Sequence, residues 1–150
     1  MDLILWRHAE AEAGEPDQGR VLTSKGHRQA AKMSEWLDHN LPNTCRILVS
    51  PARRAVQTAE ALGRKFKIHP GLAPDAGVDA VLSIANWPEA REPVLIIAHQ
   101  PTLGRVVARI LTGIEQDWVI RKSTAVWIAQ RGDNATNYLK AIMAPDMLGK

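Results

Sequence analysis

The stretch Leu3-Ile4-Leu5-Trp6-Arg7-His8 decides the fold of this chain and points to its site. Its first four residues are apolar without interruption, which predicts a short strand buried on both faces. A strand of this kind lies inside a parallel sheet that helices cover on both sides. Because ligands bind beyond the carboxyl ends of such strands, Arg7-His8 stands where a functional site is expected.

The rest of the chain continues the alternation of strand and helix. A helix is predicted after Thr23 or Ser24, and another opens at Ser50-Pro51 with an apolar stripe that runs from Ala52 to Phe66. Further helices are predicted over residues 76–87 and from Pro101 onward. The other strands are predicted at 47–49, near Ile68, at 94–98, at 125–129 and at 138–143. A turn at 132–134 joins the last two strands. We predict an α/β fold, a three-layer α/β/α arrangement with a mainly parallel sheet, in one domain over residues 1–150.

Composition narrows the class of protein. No apolar run reaches the roughly 18 residues that cross a bilayer, and the short N-terminus lacks the basic leader of a signal peptide. The single cysteine, Cys45, excludes an internal disulfide, so we expect a cytoplasmic protein that does not bind membranes.

A net charge of +3 suits an anionic substrate or a phosphorylated partner, and without a dense basic run we expect no nucleic-acid binding. We expect a monomer.

Polar groups follow three of the predicted strands. Arg7-His8 follows the first, Ser50-Pro51 with Arg53 and Arg54 follows the second, and His99-Gln100 follows the central strand at 94–98. Arginine offers planar forks of donors that match phosphate oxygens. Crowded guanidinium charge lowers the pKa of a neighbouring histidine, and a neutral histidine can attack phosphorus. The cluster therefore predicts a phosphate site with a nucleophilic histidine.

These residues resemble the signatures of the histidine phosphatase superfamily, which includes the phosphoglycerate mutases. Residues 5–8 are similar to its strand and Arg-His signature, residues 50–59 to its Ser-Pro-x-x-Arg-Ala-x-x-Thr motif, and Ala98-His99 to its second histidine. A further pattern is typical of the short SixA-like phosphohistidine phosphatases, and its residues here are Asp17, Arg20, Leu22-Thr23, Gly26 and Ala30. The resemblance covers residues 3 to about 111 of the 150, and the length suits the SixA-like branch.

The resemblance implies a role for each matching residue. His8 is the nucleophile and becomes phosphorylated, Arg7 and Arg54 hold the phosphoryl group, and His99 completes the pocket and stabilises the transferring phosphate. Arg54 is preferred to Arg53 because it stands four residues after Ser50 and directly before Ala55. Three further residues are expected to contact the substrate, namely Gln100, Thr23 and Arg53. The resemblance implies no metal and no cofactor.

The sequence departs from the family pattern in three places. Ala9 stands where the wider family usually has Gly, and Ala98 replaces a common Gly or Ser; both side chains are small, so the change is mild. The larger departure is that no long insertion with a catalytic Glu follows the second helix, and residues 70–80 offer only Asp75 and Asp79 as acids. An alkoxide leaves poorly without an acid, whereas imidazole leaves phosphohistidine easily, so the pattern favours a phosphohistidine substrate.

The expected function is a metal-independent phosphatase with a phosphohistidine intermediate, acting on phosphohistidine in a signalling or phosphotransfer protein. Three alternatives stay open. One is a phosphatase of small phosphorylated metabolites, and another is a phosphate-binding module without catalysis. The third is a metal-dependent hydrolase that uses His8, Glu10 and Glu12 as ligands, although two adjacent arginines would repel a cation.

Overall fold

A computed structural model describes residues 1–132 and 134–149. Six strands form one sheet in the order β3-β2-β4-β1-β5-β6. The strands are β1 Asp2–Arg7, β2 Arg46–Val49, β3 Lys67–Ile68, β4 Val94–Ala98, β5 Ala125–Arg131 and β6 Thr136–Met143. The α-helices are α1 Ser24–Asn40, α2 Arg53–Glu60, α3 Val78–Ala85 and α4 Thr102–Thr112, and short 3₁₀ turns cover Asp17–Gly19, Pro70–Leu72 and Pro145–Met147. Within these described ranges, no helix is both long and apolar enough to span a bilayer.

The sheet is mainly parallel, as predicted. β1 pairs in parallel with β4, β4 with β2, and β2 with β3, whereas β5 and β6 are antiparallel to their neighbours. Successive side chains of β1 enter opposite cores: Leu3 and Leu5 pack on the side of α3 and α4, and Ile4 and Trp6 pack on the side of α1 and α2. The predicted α/β fold with three layers is therefore confirmed.

Two predicted helices are shorter than their apolar patterns suggest. The prediction of a helix from Ser50-Pro51 to Phe66 was wrong at both ends, because α2 covers only Arg53–Glu60. Gly63 then takes a φ of +72°, a left-handed conformation that ends helical geometry. The helix predicted over 76–87 covers Val78–Ala85, since Asn86 takes the left-handed conformation and closes it. The turn predicted at 132–134 includes Asp133, which lies outside the described residues.

The start of α1 packs closely against the loop that leaves β1. A Cβ atom at Gly26 would lie 2.0 Å from the carbonyl oxygen of Glu10, so only glycine permits this approach. Thr23 caps the helix, because its Oγ1 accepts a hydrogen bond from Gly26 N at 2.9 Å, and its backbone N–H donates to Glu10 O at 3.0 Å. The beginning of α1 thus fixes the path of the chain two residues after His8.

Replacing Gly26 with alanine is expected to lower the free energy of unfolding by about 2 kcal/mol, because backbone has to move and the loss outweighs the gain in helix propensity. The matched control is Gly19→Ala, where the nearest atom would lie 3.4 Å from the added Cβ. Urea denaturation measures both variants. Equal stabilities would contradict the close packing of α1 against Glu10.

Candidate active site

The ends of β1 and β4 bring two histidines together. Arg7 lies opposite Ala98 in the parallel register, and the backbone N–H of His8 donates to Ala98 O at 3.1 Å. His8 and His99 therefore leave neighbouring strands side by side, with ring centroids 5.1 Å apart and planes tilted by 54°. Both residues are buried. The predicted meeting of the two histidines at one edge of the sheet is confirmed.

Arg54 reaches the same place from α2. Its side chain is only 5% exposed, and its charge acts on both histidines. Arg54 Nη1 donates to Asp17 O at 2.8 Å, and Nη2 to Asp17 Oδ2 at 3.1 Å. Asp17 also accepts from Arg20 Nη1 at 3.0 Å, and its ion pairs with the two guanidinium groups hold its pKa below the usual value. The guanidinium of Arg54 is thus held by a side chain that is itself 53% exposed.

Thr58 ties α2 to the loop that follows His8. Its hydroxyl donates to Arg54 O at 2.8 Å and accepts from Ala9 N at 3.0 Å. Ala9 and Thr58 are both fully buried. This bridge sets the distance between the histidine loop and the helix that carries Arg54.

Hydrogen bonding assigns the tautomer of His8. Nδ1 lies 2.7 Å from Ala9 O, and because a carbonyl oxygen only accepts, Nδ1 carries the proton. Nε2 of the neutral ring therefore keeps a free lone pair. Burial lowers the pKa of His8 to about 4, and the charges of Arg54, Arg7 and Arg20 add to that effect against the opposing bond to Ala9. His8 is a neutral ring with an available nucleophilic nitrogen at physiological pH.

His99 is oriented by Ser50. The Ser50 hydroxyl accepts from Ala52 N at 3.1 Å, and its oxygen also lies within hydrogen-bond distance of His99 Nε2, at 2.7 Å. The other ring nitrogen, His99 Nδ1, is buried and has no hydrogen-bond partner among the described residues. Burial lowers the pKa of His99 to about 3, and the ring of His8 and the charge of Arg54 act in the same direction.

Two arginine nitrogens resemble His99 Nδ1 in being buried without a hydrogen-bond partner among the described residues. Arg7 Nε and Arg54 Nε are also buried and unpaired within the described ranges, whereas Arg7 Nη1 donates to Ile120 O at 2.8 Å. Buried donors without acceptors are costly and uncommon. The two guanidinium donors, whose charges also act on His8, suit an anion with several oxygens.

The three residues that were expected to contact the substrate form hydrogen bonds or ion pairs with other parts of the protein. Thr23 caps α1 and donates to Glu10 Oε2 at 2.8 Å. Gln100 donates to Trp118 O at 2.8 Å and accepts from Gly104 N at 2.7 Å, so one end of its amide holds the start of α4 and the other holds the segment before β5. Arg53 is half exposed, with Nη1 3.8 Å from Glu60 Oε1. The structure brings Arg7, His8, Arg54 and His99 together, and the roles of Thr23, Gln100 and Arg53 stay predictions.

Ser50, Thr58 and Asp17 are residues to which the sequence interpretation gave no role. The signal was present, because Ser50 and Thr58 are the first and last residues of the Ser-Pro-x-x-Arg-Ala-x-x-Thr motif. Asp17 belongs to the pattern between residues 17 and 30. What the sequence does not reveal is that these side chains hold His99, the His8 loop and Arg54 in place.

The acidic residues considered from the sequence make no hydrogen bond to the side chain of His8 or His99. Asp75 is exposed, next to Ala76, whose carbonyl accepts from Thr102 Oγ1 at 2.6 Å at the start of α4. Asp79 pairs with Arg109 at 3.3 Å. Glu10 accepts from Thr23, and the described chain contains no group of three or more His, Cys, Asp or Glu residues placed to hold a metal ion.

A parallel α/β sheet that ends in a neutral, buried histidine between two arginines defines a class of phosphate-handling proteins built around histidine. Residues 3–76 match the family model described as histidine phosphatase superfamily (branch 1). The chain belongs to this superfamily, as its similarity to curated relatives also shows.

Two relatives and one solved structure illustrate the similarity. The chain is 32% identical over 126 residues to a phosphohistidine phosphatase SixA homolog of Haemophilus influenzae, covering 73% of this chain and 77% of the relative. It is 32% identical over 122 residues to the phosphohistidine phosphatase SixA of Escherichia coli, covering 75% and 76%. The solved structure of the protein histidine phosphatase SixA complexed with tungstate superposes with a TM-score of 0.79 at 27% identity, covering 98% and 99% of the two chains.

The lowered pKa values of His8 and His99 predict how stability depends on pH. Above pH 6.5, the ordinary histidine value, both rings are neutral in the folded and the unfolded chain. As the pH falls below that value, the unfolded chain binds protons that the folded chain takes up only near pH 4 and 3. The free energy of unfolding therefore falls, by about 2 kcal/mol per histidine at about pH 4.5.

Urea denaturation of the wild type and of a His8→Asn, His99→Asn double variant between about pH 7 and 4.5 measures this loss. The difference in stability between the two proteins should change with pH across this window. The lowered pKa values of Asp2 and Asp17 act only as the pH falls below 3.8, so these carboxyl groups do not interfere. A constant difference would show that the histidines titrate normally.

Proposed function

We propose that this chain is a metal-independent phosphatase that removes the phosphoryl group from phosphohistidine through an intermediate on His8. The observation that carries the proposal is that buried nitrogens of Arg7, Arg54 and His99 lack hydrogen-bond partners among the described residues, while His8 Nε2 keeps a free lone pair. The names of the similar SixA proteins support the choice of phosphohistidine as substrate.

The first step is attack of His8 Nε2 on phosphorus. A new bond forms between phosphorus and Nε2 while the bond from phosphorus to the imidazole nitrogen of the substrate breaks. That leaving nitrogen takes the electron pair and then a proton from solvent. Charge on the transferring group is spread over its equatorial oxygens, where the guanidinium groups of Arg7 and Arg54 donate to it and His99 makes a further contact.

The second step is hydrolysis of the phosphorylated His8. Water attacks phosphorus, the bond to Nε2 breaks, and inorganic phosphate leaves together with the proton released from water. His8 returns to its neutral tautomer because Ala9 O keeps the proton on Nδ1 throughout. The fixed tautomer therefore serves both steps, since Nε2 is the nucleophile in one and the leaving group in the other.

No carboxyl group is hydrogen-bonded to either histidine within the described residues, which supports a substrate with a phosphorus–nitrogen bond. Within the described residues, the hydrogen bonds of the His8 and His99 side chains go to Ala9 and Ser50, and no carboxyl group shares them. An imidazole leaving group needs less help from an acid than an alkoxide does. The carboxylate of Asp17, which binds Arg54 Nη2, shares or yields that donor when a phosphate oxygen enters.

Phosphoenzyme trapping tests the nucleophile. We expect wild-type protein, mixed with radiolabelled phosphoramidate and quenched in base, to carry a label that is stable in base and lost in acid. His8→Ala should abolish the label, because the variant lacks the Nε2 atom that forms the bond to phosphorus. His27→Ala, which changes an exposed histidine on α1, is the matched control and should keep it. A label that persists in His8→Ala would overturn the proposal.

Two adjacent arginines test the position of the phosphate site. Arg54→Ala should lower kcat/KM for phosphoramidate by about 10² to 10³, the usual effect of removing a donor to the transition state. Arg53→Ala removes the same charge from the same helix, but from a half-exposed side chain, and should change the rate by less than about threefold. The reverse order of effects would show that the pocket is built on Arg53.

A further inference from the structure

A strongly basic groove adjoins the candidate active site. It encloses about 770 Å³ and is lined by six basic but only two acidic side chains. The basic residues are Arg7, Lys25, Arg28, Lys32, Arg121 and Lys122. The acidic residues are Glu10 and Asp146, and of the six cations only Lys122 has a carboxylate within 4 Å among the described residues, at 3.9 Å from Glu10. The groove thus presents a large excess of uncompensated positive charge.

Two segments far apart in the sequence build this groove. Lys25, Arg28 and Lys32 follow one face of α1, because residues three and seven positions apart align on a helix. Arg121 and Lys122 lie in the segment just before β5, and the chain at 144–147 closes the groove. The sequence shows no basic run because neither segment is densely charged by itself.

The groove leads directly to the phosphate pocket. Arg7 lines it, and the same side chain bonds to Ile120 O at 2.8 Å, one residue before Arg121. From Lys25 to Lys32 the groove follows about 10 Å of helix. A single phosphate or a small metabolite fills the pocket only, so the cations along α1 are placed to contact groups that lie beyond the phosphoryl group.

A second, apolar groove borders the basic one. It encloses about 250 Å³ and shares Arg121, Thr124 and Ala144 with its neighbour. Its lining includes Val119, which is 83% exposed, together with Ile142. An apolar patch beside a charged groove is typical of a protein-binding surface. The lining of the basic groove holds no aromatic side chain among the described residues, so the stacking platform that single-stranded nucleic acid needs is missing there.

From this arrangement we infer that the basic groove is the docking surface for an acidic protein, and that it steers the phosphohistidine of that protein to His8. The inference rests on the proposed function and adds to it the chemistry of the substrate around the phosphorylated residue. Carboxylates that flank the phosphohistidine meet the cations of α1, and the adjoining apolar groove is covered by the same partner. Charge complementarity of this kind raises the rate of association and selects among partners.

The test uses two phosphohistidine peptides of equal length, prepared with potassium phosphoramidate. Asp and Glu flank the phosphohistidine in one peptide, and Lys and Arg flank it in the other. The groove variant is Lys25→Glu, Arg28→Glu, Lys32→Glu, in which every replacement keeps a good helix former. The matched control is Arg46→Glu, Lys65→Glu, Lys67→Glu, which makes the same change of net charge at exposed positions at and near the β2 and β3 strands.

We expect the wild type to prefer the acidic peptide by about tenfold in kcat/KM, mainly through KM, and to lose that preference at about 500 mM salt. The groove variant should reverse the preference while hydrolysing phosphoramidate within about twofold of the wild-type rate. A second variant with glutamine at the same three positions should abolish the preference without reversing it. The control variant should keep the wild-type preference.

Other outcomes separate the two proposals. If the wild type hydrolyses phosphoramidate but neither peptide, the proposed substrate class fails, and the docking inference fails with it. If both peptides are hydrolysed equally by the wild type and the groove variant, the docking inference fails and the proposed function stands. Loss of phosphoramidate hydrolysis in the folded groove variant, or inhibition by single-stranded RNA at lower concentration than by the acidic peptide, would also overturn the docking inference.

Discussion

The parallel pairing of β1 with β4 is the constraint on which the site depends. The register sets Arg7 opposite Ala98, so the residues that follow, His8 and His99, leave the sheet at the same level. Both strands are buried on both faces, and alternate side chains of β1 enter different cores. A shift of one residue would turn each core-facing side chain to the opposite face and separate the histidines. The packing of the two cores therefore also fixes the geometry of the two histidines.

Electrostatics gives this geometry its chemical character. Burial keeps both histidines neutral, and the nearby guanidinium groups favour the same state. Among the described residues, Asp17 is the carboxylate that hydrogen-bonds Arg54, and it approaches from an exposed turn. Arg7 Nε, Arg54 Nε and His99 Nδ1 are buried and lack hydrogen-bond partners among the described residues, which costs folding free energy. A phosphoryl group offers the acceptors and the negative charge that the two guanidinium groups lack here. The unpaired atoms that destabilise the folded protein therefore favour phosphate binding.

The parts of this structure that the sequence predicted are those that local pattern determines. Uninterrupted apolar runs identified β1 and β4, and the spacing after Ser50 selected Arg54 over its neighbour. Local pattern does not show where an apolar stripe stops being helical, which Gly63 and Asn86 decide through left-handed backbone conformations. Nor does it show which polar side chains the fold itself uses. Both ends of the Gln100 amide, for example, hold backbone, and the basic groove arises only when α1 and the segment before β5 pack together.

The backbone hydrogen bonds around Arg7 and His8 have a further consequence, for the exchange of these amides with solvent. Arg7 N donates to Thr124 O, His8 N donates to Ala98 O, and His8 O accepts from Ser123 N, each at 3.1 Å. The dipeptide is therefore hydrogen-bonded to chain segments on both sides, and its amides exchange with solvent only when the sheet opens. His8 is therefore held in place before any substrate arrives, and none of the binding energy is needed to order its backbone.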